Sequence, residues 1–101
     1  MADTKIKGRR QSGLRYKEPS MYNVIMLNDD VTTMDFVVMV LQKIFRKSAE
    51  DAETIMLKIH NEGSAVVGTY YRDIAESKVG LTKSFAKQYG YPLELTIEEV
   101  L

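Results

Sequence analysis

The 101-residue sequence contains no cysteine, which excludes disulfide bonds and thiolate ligands for a metal. It has a single histidine, His60, so it lacks the set of nitrogen and sulfur ligands that a zinc site needs. It has no run of 18 apolar residues and no hydrophobic region of a signal peptide. These absences predict an intracellular protein that does not span a membrane and holds no metal or other cofactor.

The sequence also has no net charge, because 14 basic residues balance 14 acidic ones. No strong field therefore favours nucleic acid or a membrane surface as the partner. Residues 1–20 are the exception, since their Lys and Arg side chains clearly outnumber their two acids. With few large apolar side chains, they predict a flexible basic tail ahead of one small core domain over residues 21–101. The tail serves either solubility or contact with an acidic partner.

The periodicity of the apolar residues predicts three strands and three helices. The strands are expected at 21–27, 64–71 and 93–98. The helices are expected from Met34 to about Arg46, from a Ser48 cap to Glu62, and from Asp73 to about Tyr89. The resulting β-α-α-β-α-β order predicts an α+β sandwich, in which three helices cover a three-stranded antiparallel sheet.

The first strand ends abruptly at a polar corner, Asn28-Asp29-Asp30, before the first helix begins. This places one carboxamide and two carboxylates at the edge of an apolar space between strand and helix. Such a space suits a ligand with an apolar body and a cationic end. A calcium loop is excluded, because Thr33 and Met39 stand where that loop requires glycine and glutamate. Neither a nucleophile elbow nor a glycine-rich phosphate loop is present, so no catalytic residue is predicted.

Two further features have both a functional and a structural interpretation. His60 shares a helix face with Met56, but a histidine near a helix end is often an ordinary surface residue. Met26, Met34 and Met56 lie beside polar candidates and could line an adaptable pocket or simply fill the core. Spacing alone leaves both alternatives open.

Gly80, inside the third predicted helix, weakens that helix and could allow the close approach of a neighbour.

The chain resembles the ClpS family, the bacterial adaptors of the Clp protease, over about residues 20–100. The resemblance rests on PSMYNVIMLNDD at 19–30, on Thr32 and Met34, and on the pairing of Met56 with Ile59-His60. It also rests on AESKV at 75–79 and YPL at 91–93. It implies a non-enzymatic adaptor that binds proteins beginning with Leu, Phe, Tyr or Trp, known as N-degrons. It further implies delivery of these proteins to a hexameric AAA+ unfoldase, ClpA or a relative, in the bacterial cytoplasm.

The resemblance also implies a role for individual residues. The α-amino group of the substrate would be held by Asn28, Asp30 and His60, with Asp29 in the same acidic rim. The substrate side chain would enter a pocket lined by Met26, Thr32, Met34, Val37, Met56, Ile59 and Leu93. Met34 matches the residue whose bulk disfavours Ile and Val. The N-terminal domain of the unfoldase would contact Asp73, Glu76 and Lys78.

Thr33 departs from the family pattern, because many relatives have proline there, and it would either cap the helix or loosen the loop.

A monomer is expected, with neither nucleic acid nor membrane as a partner. The alternative function is a structural protein-interaction module of the same fold, which docks partners by its helices and has no pocket for a protein N-terminus.

Overall fold

The structure is a computed structural model that describes residues 18–101. The basic tail was predicted over residues 1–20, and residues 1–17 of it lie outside the described residues. Within the described range the elements are β1 (Met21–Leu27), α1 (Met34–Lys43), α2 (Ala49–Glu62), β2 (Ser64–Tyr71), α3 (Arg72–Gln88) and β3 (Leu95–Glu99). This is the predicted order of strands and helices.

The sheet is antiparallel with strand order β2-β1-β3, so β1 lies in the centre. Val24 pairs with Gly68 on one side and with Ile97 on the other. The pairing with β2 shifts by one residue after Val24, which leaves Val67 in a β-bulge. Val24 and Met26 are fully buried and alternate with Ile25, which is half-buried. One face of the sheet therefore packs against the helices.

The core lies between this face and apolar stripes on all three helices. The stripes consist of Val40 and Leu41 on α1, Ala52, Met56 and Ile59 on α2, and Ala75 and Ala86 on α3. Thr82 is the buried polar residue of α3, and its hydroxyl donates to the Lys78 carbonyl at 2.7 Å. The Phe36 ring of α1 packs against Tyr91 and Phe85, with ring centroids 4.8 and 5.7 Å away. These contacts fix the start of α1, and with it the preceding loop.

Helix α1 ends at Lys43, so the expected end near Arg46 was wrong by one turn. Arg46 adopts a left-handed conformation, with φ of 60°, and the following Lys47 N–H donates to the Leu41 carbonyl at 3.0 Å. Glycine is the usual residue at such a stop, and arginine gives no comparable signal in the sequence. The suggested close approach at Gly80 was also wrong, since a Cβ there would meet no atom within 4 Å apart from its chain neighbours and the backbone of its own helix.

The other boundaries differ from the predictions by two residues or fewer. Strand β3 begins at Leu95 rather than Leu93, although both side chains are buried on the predicted face. Helix α3 begins at Arg72, and its N-cap residue Tyr71 provides no side-chain hydrogen bond. Helix α2 ends at Glu62, as predicted, and its C-cap residue is Gly63, whose φ is 93°.

Candidate functional site

The loop between β1 and α1 is organised by the carboxylate of Asp29. The backbone N–H groups of Val31 and Thr32 donate to Asp29 Oδ1 at 2.8 and 2.7 Å. The Thr32 hydroxyl donates to Asp29 Oδ2 at 2.7 Å. Burial alone would raise the pKa of Asp29, but these three hydrogen bonds outweigh it and lower the pKa below its ordinary value. The loop is therefore a compact turn built around an ionised side chain.

Thr33 connects this turn to α1. Its hydroxyl accepts a hydrogen bond from the Phe36 N–H at 3.1 Å, and its backbone is extended, with φ of −74° and ψ of 152°. Thr33 is therefore the N-cap of α1, which satisfies one of the free N–H groups at the helix start. The side chain of Thr33 thus gives α1 a defined start.

The other side of the site is the C-terminal end of α2. The Asn28 N–H donates to the Gly63 carbonyl at 2.8 Å, which joins the end of β1 to the end of this helix. His60 lies in the last turn of α2, three residues before Gly63. Two segments that are distant in the sequence therefore meet at one corner of the molecule.

A cavity of about 390 Å³ lies at this corner. Nine of the eleven residues predicted for the amine and side-chain sites line it, namely Asn28, Asp29, Asp30, Thr32, Met34, Val37, Met56, Ile59 and His60. Val31 and Thr33 also line it; sequence reasoning did not include them, although they lie between predicted residues. Met26 and Leu93 are not among the lining residues, and both are buried in the core, 0% and 3% exposed.

The cavity has an apolar part and a polar part. Val37, Met56 and Ile59 are buried, whereas Met34 is 44% exposed and so lies at the edge of the cavity. The polar part consists of Asn28, Asp30 and His60, all exposed, together with the half-buried Asp29. An uncharged apolar group can fill the first part while oxygen and nitrogen acceptors surround the second. The arrangement can bind a molecule that carries a cation next to an apolar group.

Within residues 18–101, no group of three or more His, Asp or Glu side chains is placed to hold a metal ion. In the same part of the chain, no helix combines the length and apolar character needed to cross a bilayer.

The three residues predicted to contact an unfoldase lie in two different environments. Asp73 and Glu76 are exposed and line a second cavity of about 520 Å³ at the start of α3, beside Pro19 and Ser20. Lys78 does not line it. Its half-buried ammonium group donates to the Ile44 carbonyl at 2.7 Å and lies 5.3 Å from the centre of the Tyr70 ring. Burial raises the pKa of that tyrosine.

Comparison with known proteins places these features in a family. The family model described as "ATP-dependent Clp protease adaptor protein ClpS" matches residues 17–96. Two similar proteins are the ATP-dependent Clp protease adapter proteins ClpS of Burkholderia cenocepacia and Burkholderia vietnamiensis. Each is 50% identical over 97 residues, which cover 96% of this chain and 91% of the relative.

A solved structure supports the same assignment. The structure of Agrobacterium tumefaciens ClpS2 bound to L-phenylalaninamide matches with a TM-score of 0.79 and 41% identity. The match covers 82% of this chain and 100% of that chain. The predicted α+β sandwich of three helices and a three-stranded antiparallel sheet is thereby confirmed for the described residues.

Proposed function

The chain belongs to the ClpS family of ATP-dependent Clp protease adaptors, and we propose that it binds the free N-terminal Leu, Phe, Tyr or Trp of N-degron proteins and delivers them to a ClpA-type AAA+ unfoldase. The observation that carries the proposal is the cavity of about 390 Å³, which combines buried apolar walls with an acidic edge. The Agrobacterium tumefaciens ClpS2 structure adds support, because its ligand, L-phenylalaninamide, carries a free α-amino group beside an aromatic side chain.

The apolar walls account for the preference for large side chains at residue one. Burying a leucine or aromatic side chain contributes roughly 2 kcal/mol. Val37, Met56 and Ile59 provide buried apolar surface, and the unbranched methionine can adapt to both aliphatic and aromatic shapes. In this proposal Met34, at the edge, excludes the β-branched side chains of Ile and Val. Met26 and Leu93 support the walls from the core.

The polar edge accounts for the requirement of a free chain end. An α-ammonium group has three N–H donors, and an α-amino group with a pKa of about 8 is mostly charged at pH 7. The carboxamide oxygen of Asn28, the carboxylate of Asp30 and a neutral His60 nitrogen are suitable acceptors. Asp29 lies at the same edge, with its carboxylate bonded to Val31 and Thr32 of the loop. A peptide bond inside a chain offers one uncharged N–H, so internal residues would not satisfy these acceptors.

A titration with matched peptides tests this proposal. Fluorescent peptides that differ only at residue one should bind in the low-micromolar range or better with Phe, Leu, Tyr or Trp, and at least about tenfold more weakly with Ala. A Phe placed at residue two, behind an N-terminal Ala, is the control for composition. Binding that does not depend on residue one would instead favour the alternative, an interaction module that docks partners by its helices.

Delivery requires a second contact, which we propose involves Asp73, Glu76 and Lys78. Asp73 and Glu76 are exposed at the start of α3 and present negative charge beside the residues that follow the basic tail. Glu76→Lys should abolish binding of a monomeric adaptor to the isolated unfoldase N-terminal domain, whereas Glu53→Lys, exposed on α2, should leave it unchanged. Equal binding by the two variants would contradict a contact at α3. In this proposal the protein is a binding adaptor that acts without catalysis, in the bacterial cytoplasm.

A further inference from the structure

The two adjacent carboxylates at the edge of the cavity have different surroundings. Asp29 accepts three hydrogen bonds, two from the backbone N–H groups of Val31 and Thr32 and one from the Thr32 hydroxyl. Among residues 18–101, no hydrogen-bond donor reaches the carboxylate of Asp30, which is exposed. The Asp29 carboxylate is thus bonded to its own loop, while the Asp30 carboxylate is not bonded to any of residues 18–101.

The number of acceptor positions strengthens this contrast. An ionised carboxylate offers about four lone-pair positions. At Asp29, Oδ1 already receives two donors and Oδ2 receives one, all within 2.8 Å. A ligand ammonium group that took over these positions would leave the Val31 and Thr32 N–H groups without their present partner. About one position, on Oδ2, is left for a further donor, so any closer engagement of the amine by Asp29 would compete with the turn that forms the site.

We propose that Asp29 is a positioning residue, whose carboxylate holds residues 29–32 in the turn that presents Asn28, Asp30 and Thr32 to the cavity, and that it does not itself bind the substrate amine. This inference rests on the proposed recognition of a free N-terminus. The lowered pKa of Asp29 agrees with it, because the same hydrogen bonds keep the carboxylate ionised.

A preformed turn affects affinity through the fraction of molecules that are ready to bind. The apparent dissociation constant equals the intrinsic constant divided by the populated fraction of the competent conformation. If the turn were formed in about one molecule in ten without the carboxylate, affinity would fall about tenfold. Loss of a turn therefore weakens binding without removing any contact to the ligand.

Asparagine and alanine at position 29 separate positioning from charge. The side-chain oxygen of asparagine can still accept from the Val31 and Thr32 N–H groups, and its amide can donate to the Thr32 hydroxyl oxygen. Both Asp29→Asn and Asp29→Ala remove the negative charge. We expect Asp29→Ala to weaken binding of a peptide with N-terminal Phe about tenfold, and Asp29→Asn to remain within about threefold of the wild type.

Two controls accompany these variants. Asp30→Asn should weaken binding as much as Asp30→Ala, because at that position the charge acts on the amine. Asp35→Asn, in the exposed first turn of α1 and outside the cavity lining, should leave binding unchanged and so measures the effect of losing one nearby charge.

Amide hydrogen exchange, measured by NMR without peptide, reports on the turn independently of binding. Exchange at Val31 and Thr32 should accelerate in Asp29→Ala and stay near the wild-type rate in Asp29→Asn. If Asp29→Asn instead weakens binding as much as Asp29→Ala while both amides stay protected, Asp29 binds the amine and the inference is overturned. If the wild type ignores residue one, the proposed function fails. Unchanged amide exchange at Val31 and Thr32 in Asp29→Ala would overturn the positioning role, whether or not the wild type recognises residue one.

Discussion

The backbone N–H of Asn28 donates to the Gly63 carbonyl at 2.8 Å, and this bond joins the two halves of the candidate site beside the Leu27–Ser64 pair of the sheet. Asn28 begins the acidic corner after β1, whereas Gly63 ends the helix that carries His60. Gly63 adopts a φ of 93°, a left-handed conformation that lets the chain leave α2 and enter β2 at once. The geometry of a proposed amine site thus depends on a glycine that lies outside it.

Replacement of this glycine should destabilise the protein. Gly63→Ala is expected to lower the free energy of unfolding by about 1 kcal/mol, because an L-residue is disfavoured at this φ. Gly80→Ala is the matched control, since an added Cβ meets no atom within 4 Å at either position. Gly80 lies inside α3, where alanine should stabilise the protein by up to about 1 kcal/mol. Urea unfolding of both variants measures the difference, and shifts of the same sign would contradict the account.

Met34 should set the discrimination against β-branched residues. Met34→Ala removes bulk from the edge of the cavity and should bring N-terminal Ile and Val peptides close to the affinity of Leu. Binding of the Phe peptide should change by less than about fivefold, because the buried walls stay in place. The same substitution at Met39, which does not line this cavity, is the control. Unchanged rejection of Ile and Val would remove Met34 from this role.

Affinity should fall as the pH is lowered from about 8 to 5.5, because the imidazole of His60 can accept a hydrogen bond from the amine only when it is neutral. The ligand amine does not cause this fall, since it only becomes more fully charged at lower pH. Asp29 does not cause it either. The hydrogen bonds to its carboxylate lower the pKa of Asp29 from its ordinary value of 3.8. The stability that this carboxylate contributes is therefore present above pH 3.8 and is lost only as the pH falls through the folded pKa.

His60→Gln supplies the comparison for the pH dependence, because glutamine keeps an acceptor oxygen that does not titrate in this range. Its affinity for the Phe peptide should be nearly constant where that of the wild type declines. Parallel pH profiles for the two proteins would assign the decline to another group.

Lys78 should contribute to stability as well as to any contact with an unfoldase. Its ammonium group donates to the Ile44 carbonyl at the end of α1, and the Phe45 and Tyr70 ring centres lie 5.9 and 5.3 Å away. Because the side chain is half-buried, Lys78→Met should lower the free energy of unfolding by about 1 kcal/mol.

The control for Lys78 is Lys83→Met. Lys83 is paired at 3.4 Å with Glu94, and both side chains are largely exposed, so the loss should be less than about 0.5 kcal/mol. Equal stability of the two variants would contradict a structural role for Lys78. Unfoldase binding by a Lys78 variant therefore has to be compared at equal fraction folded.

The sequence predicted the corner and its neighbours because the signals there are local. An apolar strand ends at three polar residues, a threonine caps the next helix, and a glycine ends the helix that carries His60. Asp29 and Thr32 also have the spacing of a side-chain turn, a signal that could have indicated the hydrogen bonds at Asp29 before the structure did.

Long-range contacts were not predictable in the same way. The bond from Lys78 to Ile44 joins residues 34 positions apart, and nothing in either segment indicates it. Met26 resembles Met34 and Met56 in the sequence, yet it is fully buried in the core while they line the cavity. The depth to which a cavity extends depends on how the helices pack on the sheet, and the alternation along one strand does not determine this.

The most direct test of the account compares one peptide in two forms. A fluorescent peptide with a free N-terminal Phe and its N-acetylated counterpart present the same side chain, but acetylation removes the positive charge and two of the three N–H donors. The account predicts clear binding of the free form and at least about a hundredfold weaker binding of the acetylated form, as expected when charge-assisted hydrogen bonds are lost. Equal affinity for the two peptides would contradict the proposal that this cavity recognises free protein N-termini.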